Sequence, residues 1–200
     1  MSSEPRSTPR SQAKADRRAA LLDAAATLFA RSGFNGVSIE DLGTAVGVSG
    51  PAVYRHFAGK QGVLAALLID VSEDLVAGGG AVVASHSDAA AALQGLVRFH
   101  VAFALRNPDV IRVQDRDLDS LAESDRHRVR ALQREYVELW VGVLQRVHPT
   151  EDPASLRIRA HATFGLLNST PHSARTSTQP EVRALLEEMA LAALGLPVQV

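Results

Sequence analysis

Residues 38–57, SIEDLGTAVGVSGPAVYRHF, constrain this fold more than any other stretch of the chain. Ile39, Leu42 and Val46 share one face over two helical turns, and Gly47 ends that run. Ser38 stands where an N-cap belongs, with Asp41 three residues on as a capping-box partner. Past the glycine, Ser49 is placed to cap another short helix, and Pro51 sits in its first turn, where a missing N–H costs least. Val53 and Phe57, four apart, point inward together. Two short helices over 39–46 and roughly 50–56, joined by a tight glycine turn, form a helix-turn-helix signature.

The rest of the chain reads as helix. Leu21, Leu22, Ala25, Ala26, Leu28 and Phe29 recur at helical spacing, and Gly33 stops that segment as a C-terminal cap does. Ahead of it, residues 1–14 are rich in Ser, Pro and Arg without apolar periodicity, which predicts a disordered arm. A helix is expected over 60–77, running out at AGGGA (77–81), with further helices over 88–106, 109–118, 123–147, 154–170 and 181–195. Strand alternation is absent, and Ala and Leu outnumber β-branched residues, which favours helix. The 200 residues, 46% apolar, suffice for an all-α chain of two units: a helix-turn-helix unit and connecting helix over 15–77, and a second helical unit over 78–200.

Composition narrows the function. With no cysteine, disulfides, thiolate metal sites and cysteine nucleophiles are excluded. No apolar run approaches the roughly 18 residues of a membrane span, and the polar N-terminus lacks a signal-peptide core. A cytoplasmic protein without a membrane partner is expected. Residues 1–60 carry eight Lys/Arg against five acids, whereas 61–200 carry thirteen against seventeen. A basic front on an acidic body suits an anionic partner at the front alone.

That partner explains the residues of the second short helix. Gly50 and Ala52 are small where a helix must enter a groove, while Val53 and Phe57 lock its other side to the domain. Tyr54 and His56 flank the groove face, where a phenol and an imidazole can donate to phosphate oxygens. Lys60 adds charge at the start of the next helix. Residues 17–77, through LLDAAATLFARSGFNGVSIEDLGTAVGVSGPAVYRHFAGKQGVL, resemble the DNA-binding domain of the TetR/AcrR family of bacterial repressors. The resemblance implies a homodimer on a palindromic double-stranded operator, a helical C-terminal ligand domain, and repression relieved by a small effector. It places DNA contacts on Ser38, Ser49, Gly50, Pro51, Ala52, Tyr54, Arg55, His56 and Lys60. Two positions depart from the pattern. Gly43 stands where a larger residue such as alanine is usual, and Gly50 offers no side chain to a base, which leaves direct readout to Arg55.

The resemblance also implies pairing through the last two long helices, whose apolar faces are Leu156, Ala160, Phe164 and Leu167 on one and Leu185, Leu186, Met189 and Ala193 on the other. Large side chains on the preceding helices fill a core or line a pocket. Phe99, Phe103, Tyr136, Trp140, Phe164 and Asn168 are the pocket candidates, and Arg112 and Arg116, one turn apart, are candidate clamps for an anionic head group. An apolar tunnel with such a mouth suits an acyl-CoA or fatty acid; an efflux-type, drug-sensing repressor is the alternative. A helical enzyme carrying a helix-turn-helix module is the reading outside regulators. Its support is thin, because the seven histidines show no i, i+4 metal pair and no nucleophile elbow or phosphate loop is present. No cofactor, metal or catalytic residue is expected.

Overall fold

The structure is a computed structural model and describes residues 9–173 and 178–196. Among these, the chain is helical without strands: α1 (Pro9–Ser32), α2 (Ile39–Ala45), α3 (Gly50–Val53), α4 (Gly59–Ala84), α5 (Ala89–Arg106), α6 (Pro108–Asp117), α7 (Glu123–Val147), α8 (Pro153–Leu167), α9 (Thr170–Ser173) and α10 (Gln179–Ala193), with a 3-10 turn at Leu118–Ser120 between α6 and α7.

Two apolar cores organise these helices. The first gathers Leu21, Ala25 and Phe29 of α1, Ile39 and Leu42 of α2, Val53, Phe57, and Leu64 and Leu68 of α4. The second is built from α5, α7, α8 and α10 around Leu96, Trp140, Leu144, Leu156 and Leu167. Helix α4 runs along α7, so the expected division at residue 77 falls inside one continuous helix. Val110 and Val113 of α6 belong to the first core, and that helix packs against α1.

Three expectations change. Helix α1 begins at Pro9, so residues 9–14, read as part of a disordered arm, are helical, while residues 1–8 lie outside the described ones. The second helix of the helix-turn-helix is one short turn, Gly50–Val53, with residues 54–56 in a turn behind it. Helix α4 does not stop at the glycine run. A Cβ at Gly78 would lie 2.3 Å from Cζ of Phe99, and one at Gly79 would lie 2.7 Å from Cε2 of Tyr136. Close approach of aromatic rings supplies packing that offsets the ~1 kcal/mol each helical glycine costs.

Candidate functional site

The DNA-facing candidates lie on a local scaffold. Ser38 caps α2 as expected: its Oγ accepts from the Asp41 N–H at 3.1 Å, and its own N–H donates to Asp41 Oδ2 at 2.8 Å. The Ser38 hydroxyl is therefore engaged in the cap. Gly47, at φ +69°, turns the chain between α2 and α3. Ser49 precedes α3 but makes no side-chain capping bond, and it is exposed together with Pro51, Tyr54 and Arg55. Tyr54 is 61% exposed, although it is an aromatic side chain beside a closed core. Ala52 is half-buried.

Three of the expected contacts sit differently. Gly50 is buried, and a Cβ there would lie 3.2 Å from Oε1 of Glu40, the far end of an exposed side chain. Lys60 is turned inward: its Nζ donates to the Phe34 carbonyl at 2.9 Å and lies 4.4 Å from the centroid of the Phe34 ring. His56 is half-buried, and its Nδ1 is buried with no hydrogen-bond partner among the described residues. Its pKa is held below the ordinary histidine value by burial first, then by the cations Lys14, Arg17, Arg18 and Arg55. A neutral ring under four cations is a poor anion clamp, but it marks where positive charge collects. Lys14 and Arg17, on the exposed N-terminal half of α1, stand beside the short helix. Composition alone assigns Lys14 to a disordered arm, because nothing apolar marks that turn as helix. The departure at Gly43 has a steric reason, since a Cβ there would lie 2.7 Å from the Val48 carbonyl oxygen.

The pocket candidates divide. A cavity of about 230 Å³ lies between α4, α5, α6, α7 and α8, lined by Phe103, Tyr136, Phe164 and Asn168 together with His100, Ser72, Gln114, Gln133 and His161. His100 sits in the middle of an aromatic cluster, 5.1 Å from the ring centroid of Phe164 and 5.7 Å from those of Phe103 and Tyr136. Its Nε2 is 3.1 Å from Asn168 Oδ1 and its Nδ1 is 3.3 Å from the Tyr136 hydroxyl. Burial pushes its pKa down to about 4, and pushes that of Tyr136 up. Trp140 is fully buried and does not line the cavity. Phe99 packs on Gly78 and lines a separate small cleft.

The arginine clamp is not present. Arg112 donates to the Pro171 carbonyl at 2.6 Å and pairs with Asp109 at 3.6 Å, in a different cleft. Arg116 points the other way, with its guanidinium on the carbonyls of Phe29 and Ala30 and on the Asp117 carboxylate. One turn of separation aligned their backbones, but each guanidinium follows its own acceptors. His100 shares the inner face of its helix with Leu96 and Phe103, a spacing that marks it as core or pocket wall without showing its partner. Its partner Asn168 lies 68 residues on, beyond the reach of any local pattern.

Two family profiles match the chain: one described as bacterial regulatory proteins, tetR family, over residues 21–67, and one described as tetracyclin repressor-like, C-terminal domain, over residues 86–172. The chain is 31% identical over 133 residues to the HTH-type transcriptional repressor KstR2 of Rhodococcus jostii (strain RHA1), an alignment covering 66% of this chain and 65% of that protein. It thus spans just under two thirds of that curated relative's length. The ketosteroid transcriptional regulator KstR2 of Mycobacterium tuberculosis shares the fold at TM-score 0.77 and 20% identity, over 90% of this chain and 93% of that one. AibR, solved with isovaleryl coenzyme A and operator DNA, shares it at TM-score 0.70 and 17% identity, over 86% and 97%.

Proposed function

This chain belongs to the tetR family of bacterial regulatory proteins, and from that premise we propose that it is a cytoplasmic repressor working as a homodimer on a palindromic operator, released when a small effector fills the His100 cavity. Family membership makes it a DNA-binding regulator and not an enzyme. The observation that carries the proposal is the pairing of two features on one framework. Exposed Ser49, Pro51, Tyr54 and Arg55 stand beside the cations of α1, and a cavity lies among the helices that α4 and α6 tie to that domain.

The dimer has its own support. Among the described residues the exposed large apolar side chains are Tyr54, Ile158 (69%), Leu185 (56%) and Met189 (45%). Three of these four lie on α8 and α10, which pack together through the opposite faces carrying Leu156, Ala160, Leu186 and Ala190. Exposed Ala162, Gly165, Ala184 and Ala192 continue the outward face. Exposed apolar side chains on two packed helices, with His161 and Glu188 exposed beside them, suit a self-complementary two-fold interface. Leu156, Ala160, Leu167 and Leu186, expected in that interface, are buried in the protomer's own core instead. Two-fold symmetry would then present two copies of Tyr54 and Arg55 to the two halves of a palindrome.

An acyl thioester is the effector class to try first, because AibR is described in complex with isovaleryl coenzyme A. Selecting bound fragments from a random DNA pool with purified protein, then measuring their anisotropy with and without acyl-CoAs, tests the whole reading. An inverted repeat bound by two protomers and released by effector is expected. Retention of no sequence above bulk DNA would reject it.

A further inference from the structure

The cavity is polar in a directional way. An amide oxygen only accepts, so the 3.1 Å contact between Asn168 Oδ1 and His100 Nε2 puts the imidazole proton on Nε2. Nδ1 is then the acceptor for the Tyr136 hydroxyl at 3.3 Å. The hydrogen of Tyr136 and the oxygen of Asn168 are both used within the protein. Left over is the Asn168 side-chain NH2, from which no described residue accepts, on a residue that lines the cavity. Water can accept from it while the cavity is empty, but a ligand that displaces that water must bring an acceptor of its own.

The charge of that acceptor is also constrained. Among the described residues no Lys, Arg, Asp or Glu lines the cavity, and His100 is neutral above pH about 4. An ionised carboxylate would lose its hydration there with no Lys or Arg to receive it, His161 being the one other titratable histidine of the lining. A pure hydrocarbon would leave the amide hydrogens unpaired, which also costs binding. Gln114 and Gln133 also line a second cleft of about 310 Å³, whose charged residues are Asp115, Arg116, Asp119 and Arg130. At protein packing density the inner cavity of about 230 Å³ holds roughly a dozen non-hydrogen atoms.

We propose that the buried end of the effector is an uncharged carbonyl group on an apolar body, as in a ketone, ester or acyl thioester, and that its oxygen accepts from the Asn168 amide. This deepens the reading of the cavity as the effector site and rests on it. Free fatty acids and cationic drugs are thereby disfavoured.

Matched probes test the claim by calorimetry on the full chain. 4-Phenyl-2-butanone, 3-phenylpropanoate and butylbenzene share an aromatic body and differ in the group that reaches Asn168. The ketone is expected to bind at least tenfold tighter than either of the others. Asn168→Leu should bring the ketone down to the level of butylbenzene while butylbenzene binding persists. The infrared carbonyl stretch of the bound ketone reports the same hydrogen bond without any substitution, and it should fall below its value in hexane. A carboxylate bound as tightly as the ketone overturns the proposal, as does an unshifted stretch, or no binding by any probe. Adding 3-phenylpropanoyl-CoA separates the sources: tighter binding than the ketone assigns a thioester, weaker binding a free carbonyl compound. Operator binding that survives while these arms fail would leave the regulator reading standing and remove this one.

Discussion

Arg116, on α6, donates to the main-chain oxygen of Ala30 at the end of α1, at 3.3 Å. The same guanidinium reaches the Phe29 carbonyl, which also accepts from the Gly33 N–H at 2.8 Å, so a cation stands at the negative C-terminal end of the DNA domain's first helix. Val110, Ile111 and Gln114 of α6 line the cavity. Arg116→Gln is therefore expected to uncouple the two ends. The side chain is 46% exposed but its partner Asp117 is buried, so a stability loss of about 1–3 kcal/mol is expected as well. The informative readout is the ratio of operator affinities with and without effector, which should shrink towards one. An unchanged ratio would show that coupling runs elsewhere.

The DNA face yields contrasting variants. Arg55→Ala should lower discrimination at one base pair by about 1–3 kcal/mol, the range of a bidentate base contact. Tyr54→Phe should weaken specific and non-specific binding together, because a phosphate contact carries no sequence information. Replacing Lys14 and Arg17 by alanine should flatten the plot of log affinity against log salt by about 0.9 for each phosphate no longer neutralised. Lys60→Ala behaves differently: with Nζ on the Phe34 carbonyl and ring, its removal should appear as roughly 1 kcal/mol of stability rather than as a changed salt slope. Titrations at several salt concentrations separate these effects.

Neighbouring leucines on α10 should respond in opposite ways. Leu185→Glu puts a charge on an exposed apolar surface, so a folded monomer is expected in sedimentation, with operator binding abolished. Leu186→Glu buries an unpaired carboxylate in the core, and loss of the folded state is expected by circular dichroism. A Leu185→Glu protein that sediments as a dimer would reject the α8–α10 interface.

Gly79→Ala should damage the cavity from behind. Its Cβ would lie 2.7 Å from Tyr136 Cε2 and 3.3 Å from Leu139 Cδ2, so the ring must move. Overpacking of this kind costs about 1–3 kcal/mol, more than the gain in helix propensity. Lowered melting temperature together with weakened effector binding is the expected pair of results.

Acid should unfold this protein through His100. Its pKa is about 4 in the folded chain, against 6.5 for the unperturbed group, so between those values the unfolded state binds the extra proton. Stability is thus complete above pH 6.5 and falls as pH drops towards 4, at about 1.4 kcal/mol per unit and ~3 kcal/mol in all. The groups around the ring, Phe103, Tyr136, Trp140, Phe164 and Asn168, include no carboxylate to rescue the charge. His100→Gln should flatten this part of the profile, as read from urea unfolding at pH 7 and pH 5.

The amino-acid sequence by itself determined the all-α class and the helix-turn-helix, because the forces that build that unit are local. Ser38 and Asp41 cap across three residues, Gly47 turns the chain where it stands, and the Phe57 N–H returns to the Val53 carbonyl so that both side chains face inward. Tertiary structure decided everything that depends on what a side chain meets. It carried α4 through Gly78 and Gly79, since Phe99 and Tyr136 fill the space that glycine leaves, a compensation no propensity scale records. It turned Lys60 inward onto Phe34 and sent Arg112 and Arg116 to different acceptors, although they lie one turn apart. It also separated Leu185 from Leu186 and joined His100 to Asn168 across 68 residues. Local hydrogen bonding is written in residue spacing, whereas burial and long-range polar pairing exist only once the helices have packed.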